Sequence, residues 1–260
     1  MLNWQRLLKS LALAVLFAAG VLAVGLLIPV CGLLGARRRR TVRDKIAMAW
    51  CRTAARVLGL RVQTLGQPLA QGVWAANHVS WLDIITLAGR QPLCFVAKRE
   101  VAAWPVVGYL ARQTGTLFVD RGDGAANRTV ADAMTQRLRQ RETLVLFPEG
   151  TTTSGDRLLR FHARLFKPAL ATNAPVQPVA IAYQGAAAGK VPFIGDDEFL
   201  SHLWALLAEP EIAAVVHYGN AITGAATRDH LARATRQDIA VQLGFATLTQ
   251  NHVQVECGKL

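Results

Sequence analysis

Asn77-His78-Val79-Ser80-Trp81-Leu82-Asp83 and Phe147-Pro148-Glu149-Gly150-Thr151 decide how this chain is read. Each stretch follows an apolar run, residues 72–76 in the first case and 143–146 in the second, of the kind buried strands show. Each run then breaks into polar and titratable residues. In α/β proteins the chemistry gathers in loops at strand ends.

Spacing restricts how the first stretch is used. On one continuous helix, positions five apart point about 140° away from each other, so His78 and Asp83 are not helix neighbours. They meet when a helix starts between them, with His78 in the preceding loop. Ser80 and Asp83 supply that start, because Ser-x-x-Asp is close to a capping-box pattern. Asp83 then turns its carboxylate to the imidazole, fixing the tautomer and making the other ring nitrogen a better base. Ser80, two residues from His78, serves better as a cap than as a nucleophile. A base without a nucleophile of its own activates a hydroxyl that belongs to the substrate. Alone, a His-x4-Asp pair is more often a loop histidine beside an ordinary helix-start aspartate.

Three further blocks reverse that balance: Gly115-Thr116-Leu117-Phe118-Val119-Asp120-Arg121, the Phe147–Thr151 stretch, and Val176-Gln177-Pro178-Val179-Ala180. In order and spacing the four blocks resemble those of the glycerolipid acyltransferase family, whose bacterial type member acylates 1-acylglycerol-3-phosphate. The resemblance runs from about residue 62 to residue 222. It implies that His78, oriented by Asp83, deprotonates a lyso-lipid hydroxyl as it attacks the carbonyl of an acyl thioester. The donor it implies is acyl-carrier protein or coenzyme A, with no metal and no bound cofactor. A tetrahedral oxyanion then needs hydrogen-bond donors, expected near Gly150.

The acceptor site is expected around five residues. Arg121 follows its strand and, in a parallel sheet, shares an edge with His78 and Glu149, where a guanidinium grips a phosphate through two donors. Lys98, with Arg99, ends another strand and adds positive potential at the mouth. Pro148 and Gly150 make a tight turn whose N–H groups suit an anion, with Thr151 beside them. Glu149 is suited to acceptor hydroxyls or to a neighbouring arginine. The turn continues Thr151-Thr152-Thr153-Ser154-Gly155-Asp156-Arg157, whereas phosphate-acceptor members usually read Glu-Gly-Thr-Arg. Thr152 brings no charge, and this spelling is similar to acyltransferases of lyso-ornithine lipid. Arg157 and Arg160 are the substitutes for the missing cation. The cations put 1-acylglycerol-3-phosphate first as acceptor, and Thr152 keeps lyso-ornithine lipid as the alternative. Pro178 matches the block that shapes the acyl-donor side in the family, and otherwise reads as a proline at a strand edge or bulge. The competing classes are a non-catalytic lipid-binding module, against which the intact His78–Asp83 pair speaks, and a hydrolase using water.

Composition agrees with a lipid substrate. Of the 260 residues 52% are hydrophobic, and the net charge is +12. No recognised nucleic-acid motif accompanies that charge, and its densest run, Arg37-Arg38-Arg39-Arg40, abuts an apolar segment, so anionic lipid headgroups are the partner it fits. Residues 10–36 contain no charged side chain. That is long enough to cross a bilayer core and too long for a signal-peptide core. The arginines hold its end at the cytoplasmic face of the inner membrane. Pro29 and Gly32 leave open a broken, re-entrant segment. Residues 41–58 read as an amphipathic helix, on the membrane surface or packed on the core. Cys31, Cys51, Cys94 and Cys257 have no metal-site spacing and read as free thiols.

From residue 61 strands alternate with helices. Strands are expected at 61–64, 73–77, 93–97, 116–120, 143–147, 176–182 and 213–219, and helices at 81–88, 105–112, 125–141, 165–171, 198–207 and 228–242. This pattern implies an α/β fold: a three-layer domain with a largely parallel sheet, preceded by an N-terminal membrane-embedded helical segment. Residues 1–60 form the anchor and amphipathic helix, residues 61–260 the acyltransferase domain. Neither Gly-x-Gly-x-x-Gly nor a Walker pattern is present, which argues against a nucleotide-binding fold.

Overall fold

A computed structural model describes residues 4–33, 35–119 and 124–245. Arg121 and Cys257 therefore lie outside the described residues. The strands are β1 (Leu60–Leu65), β2 (Gly72–Ala76), β3 (Cys94–Lys98), β4 (Leu117–Val119), β5 (Thr143–Leu146), β6 (Val176–Gln184) and β7 (Ile212–Tyr218). The helices are α1 (Trp4–Leu22), α2 (Ile28–Leu33), α3 (Ala36–Leu58), α4 (Leu82–Ala88), α5 (Arg99–Ala102), α6 (Val107–Gln113), α7 (Gly124–Arg139), α8 (Lys167–Thr172), α9 (Phe199–Leu206) and α10 (Arg228–Gln242). A π-helical turn, Ala23–Leu27, joins α1 to α2 without a break.

The strands form one sheet in the order β1-β7-β6-β2-β5-β3-β4. From β6 to β4 all neighbours are parallel, as are β1 and β7, but β7 runs antiparallel to β6. The expected largely parallel sheet is present, with one reversed junction. Residues 185–211 are long enough for a crossover, and length alone does not say which way the next strand runs.

Strand alternation divides the core. Val73 and Ala75 of β2, Leu144 and Leu146 of β5, and Val176 and Ala180 of β6 pack with Met134 of α7, Ala169 of α8 and Ile239 of α10. The alternate residues Trp74, Ala76, Val145, Val179 and Ile181 face the other way, towards Cys51 of α3 and Leu87 of α4. Helices therefore cover both faces, the three-layer arrangement in which parallel strands are buried on either side. Pro178 is not on an edge strand, since β6 is flanked by β2 and β7. It lies opposite Ala75, one residue before the pairing with β7 begins at Val179, so its missing N–H leaves no gap in that ladder.

The apolar N-terminal segment is one helix of 30 residues, about 45 Å long at 1.5 Å per residue. It does not stand free. Lys9 Nζ donates to the carbonyls of Leu58 at 3.1 Å and Glu209 at 2.6 Å. Past the turn at Gly35, Arg40 pairs with Glu142 at 3.1 Å. Between these ends α3 packs along it, with Trp50 Nε1 donating to Leu16 O at 3.1 Å and the indole ring edge-on to Phe17. α3 starts at Ala36 rather than residue 41, so the four arginines belong to its first turns. Both ends of the segment are fastened to the same α/β body. Its outer face carries Trp4, Leu8, Leu11, Val15, Leu22, Leu26, Val30 and Leu33, all more than half exposed.

So long an exposed apolar stripe marks a membrane-associating surface. Carbonate washing of membranes that contain the protein is expected to leave it in the pellet. Complete release into the soluble fraction would contradict an embedded stripe.

Candidate active site

Because β2, β3 and β5 run parallel, their C-terminal ends open at one edge, and that edge gathers His78, Lys98 and Glu149. His78 lies two residues past the end of β2, with Nδ1 2.8 Å from Asp83 Oδ2. Asp83, the second residue of α4, is fully buried. The same Oδ2 accepts the backbone N–H of Val79 at 2.8 Å and of Ser80 at 3.0 Å, while Oδ1 accepts the hydroxyl of Tyr183 at 2.7 Å. An ionised carboxylate only accepts, so His78 Nδ1 carries the proton and Nε2 keeps its lone pair. The imidazole stacks on Phe147, with ring centroids 3.9 Å apart, and its side chain remains 19% exposed. A base that is fixed in tautomer and plane and open on its outer nitrogen is the result.

The helix start is built differently from the capping box expected of Ser80. α4 begins at Leu82, and the Ser80 hydroxyl is buried without a hydrogen-bond partner. Asp83 instead fixes the approach to the helix, its carboxylate reaching back to the N–H groups of Val79 and Ser80 in the preceding loop. Tyr183, on β6, had no signal in the sequence, being one aromatic residue a hundred positions away. Its hydroxyl also lies 3.2 Å from Thr86 Oγ1, and burial, with Asp83 beside it, pushes its pKa well above the ordinary tyrosine value.

Asn77 extends the ladder between β2 and β6 past its last backbone pair. Its amide donates to Ile181 O at 2.9 Å and accepts from Ile181 N at 2.7 Å, both buried. Glu149 is 3% exposed, and its two oxygens accept the N–H of His78 and of Leu159, each at 2.9 Å. Its carboxylate is thus engaged by the backbone, not turned to acceptor hydroxyls or an arginine as the sequence led us to expect. Burial raises its pKa above the usual glutamate value, and the Leu159 and His78 amides oppose that rise. Thr153 N closes the stitch by donating to His78 O at 2.9 Å.

Gly150 sits at φ +71°, and a Cβ there would come within 3.1 Å of the His162 ring. Its N–H is donated to Phe147 O at 3.0 Å, so this amide is not the oxyanion donor expected there. Lys98 Nζ reaches Thr151 Oγ1 at 3.5 Å. Thr152 points its hydroxyl at the carbonyl of Phe193, whose N–H in turn donates to Val79 O at 3.0 Å. Around that contact Trp81, Trp104, Phe193, Phe199 and His202 form an aromatic cluster at the mouth, with Trp81 Nε1 donating to His202 Nδ1 at 3.0 Å. Arg157 and Arg160 are exposed. Among the described residues no group of three or more His, Cys, Asp or Glu side chains is placed to hold a metal.

Asp83→Ala would leave two buried N–H groups and the Tyr183 hydroxyl without their acceptor. At roughly 1–3 kcal/mol for each unsatisfied group, and allowing for relaxation, denaturant melting should show a loss of about 2–4 kcal/mol. A melting curve matching the parent protein's would mean these bonds are not made.

The family model described as Acyltransferase matches residues 61–182, the span that carries His78, Asp83, Lys98 and Glu149. The lyso-ornithine lipid O-acyltransferase of Pseudomonas aeruginosa is 39% identical over 214 residues, covering 80% of this chain and 83% of its own. The 1-acyl-sn-glycerol-3-phosphate acyltransferase of Neisseria gonorrhoeae is 32% identical over 193 residues, covering 73% of this chain and 76% of its own. The crystal structure of the 1-acyl-sn-glycerophosphate acyltransferase of Thermotoga maritima superposes with a TM-score of 0.65, covering 92% of this chain and 96% of that one at 20% identity, which shows the shared fold. With a His–Asp pair at the sheet edge and relatives of this identity, the chain belongs to the acyltransferase family of the lysophospholipid type.

Proposed function

We propose that the protein is a membrane-bound O-acyltransferase that moves a fatty acyl group from an acyl thioester to a lyso-lipid hydroxyl, with lyso-ornithine lipid as acceptor. The observation that carries the transfer is the His78–Asp83 pair, whose histidine side chain stays 19% exposed while the nearest hydroxyl in sequence, Ser80, is fully buried. That pairing suits direct attack by the acceptor's own hydroxyl. His78 Nε2 takes the acceptor's proton as its oxygen bonds to the thioester carbonyl carbon. The tetrahedral intermediate then collapses, the C–S bond breaks, and the proton on Nε2 leaves with the thiol. The thiol is that of acyl-carrier protein or coenzyme A.

Thr152 supports lyso-ornithine lipid as the acceptor. Its hydroxyl is held by Phe193 O, so this position offers the headgroup neither charge nor a free donor. An ornithine headgroup presents a carboxylate rather than a phosphate and asks for fewer cations. Of the relatives named above, the more similar one carries that activity. The cations alone put 1-acylglycerol-3-phosphate first, and it stands as the second reading, favoured by Lys98 beside Thr151 and by Arg121 in the sequence. In either case Lys98, Gly150, Thr151 and Arg121 make the headgroup side, and Glu149 supports the base. Residues 1–60 serve as the anchor and 61–260 as the catalytic domain. The outward stripe lies in lipid, and Arg37–Arg40 keep the assembly on the cytoplasmic side of the inner membrane.

His78→Ala is expected to lower turnover by on the order of 10² to 10⁴ while the protein still folds, at a modest cost in melting temperature from the lost bond to Asp83. Near-normal turnover in that variant would refute the base. For the acceptor, purified enzyme is offered one labelled acyl thioester with each lyso-lipid in turn, and kcat/KM values are compared. We expect lyso-ornithine lipid to lead, and Thr152→Arg to shift the ratio towards lysophosphatidate by about tenfold, the worth of one charge-assisted bond. A lysophosphatidate preference in the parent enzyme would overturn the acceptor and leave the chemistry standing. Transfer to no acceptor would favour the lipid-binding module.

A further inference from the structure

We propose that Arg236, on α10, is a positioning residue for the candidate active site, acting through a single peptide unit on Glu149 and through Glu149 on His78. The inference rests on the reading of His78 as the base. Arg236 forks over two consecutive carbonyls, with Nη2 donating to Leu158 O at 2.8 Å and Nε to Leu159 O at 2.9 Å. The peptide that carries Leu158 O also carries Leu159 N–H. That N–H donates to Glu149 Oε2 at 2.9 Å, and Glu149 Oε1 accepts His78 N–H at 2.9 Å. A cation on the oxygen of an amide polarises it and strengthens the bond made by its N–H. The chain of bonds therefore runs from a guanidinium on a helix with no other link to the chemistry to the backbone of the catalytic histidine.

Packing alone does not explain the contact. α10 is held by Leu231, Ala232, Thr235 and Ile239, all buried on its inner face, while Arg236 is exposed. The segment that receives the guanidinium is likewise attached without it. Leu158 and Phe161 are buried, and Thr153 N is bonded to His78 O. What Arg236 adds is the orientation of the Leu158–Leu159 peptide between those anchors. Released, that peptide is free to turn its N–H away from a buried carboxylate whose two oxygens accept, among the described residues, from Leu159 and His78.

The test compares the parent protein with Arg236→Gln and Arg236→Lys, alone and combined with Glu149→Gln. Backbone hydrogen exchange at Leu159 and His78 is read first, since it requires no turnover. Arg236→Gln should raise exchange at both amides by about tenfold, the loss expected of one strong hydrogen bond, while the α10 amides and the melting temperature hold. With the preferred acceptor, kcat should fall about tenfold and KM by less than about twofold, because positioning of the base acts on the chemical step. Arg236→Lys, which keeps the charge and one donor, should recover part of both effects. It stands in for the glutamine variant if that one fails to fold. In the Glu149→Gln background the Arg236 substitution should add no further loss. Unchanged exchange at His78, or a full additional loss beside Glu149→Gln, would overturn the proposal. A parent enzyme that acylates no acceptor would sink the functional reading, and exchange at His78 would still decide Arg236.

Discussion

The arrangement at the sheet edge depends on the buried carboxylate of Asp83. Four donors converge on it: an imidazole, two consecutive backbone amides and a tyrosine hydroxyl. Each answers a different requirement. The amides fix the path of the chain from β2 into α4, the imidazole is held in one tautomer and one plane, and the hydroxyl ties the helix to β6. A carboxylate out of water is costly unless it is fully hydrogen-bonded, so none of the four is dispensable to the others. The geometry of the His78–Asp83 pair and the local fold are one network here.

A second network lies across the first. Glu149 leaves β5 and is used, at both oxygens, to hold the amides of His78 and Leu159. Thr153 returns to His78 O, and Phe193 returns to Val79 O. The segments that follow β5 and β6 are thereby sewn to the four residues that follow β2, 77–80. The parallel ladder is what allows it, because only parallel neighbours bring successive strand ends to one edge. The polar stitching is buried where water cannot compete with it, and it confers more rigidity than the same bonds would at the surface.

The rest of the molecule packs around the elements that form this edge. The apolar helix and α3 cover one sheet face, while α7, α8 and α10 cover the other. The helix is fastened at Lys9 and, past its turn, at Arg40, so its outer stripe has a fixed relation to the opening. Opposite that face, Arg236 reaches over from α10 to the loop that supports Glu149. Both helical layers thus bear on the same few residues.

Much of this was legible in the chain. Alternating apolar runs and helix-length intervals placed seven strands and most helices, because strand and helix periods leave a mark in the order of residues. The spacing of His78 and Asp83 required a helix start between them, since five positions cannot share a helix face, and the structure has that start. The uncharged N-terminal run announced a long apolar helix by length and composition alone. Other features left no such mark. Tyr183, Phe193 and Arg236 reach the site from far along the chain, Arg236 across 77 residues and Tyr183 across 100, through contacts no local pattern encodes. The direction of β7 was closed to sequence reading, because a long connection is compatible with either. Glu149 shows the limit most plainly. The residue type and its place after a strand pointed to the site, but whether a carboxylate meets a ligand or two backbone amides depends on which N–H groups the fold brings within 3 Å of it. That distance is set by the packing of β2 against β5 and by the path of the loop through Leu159, and only the tertiary structure decides it.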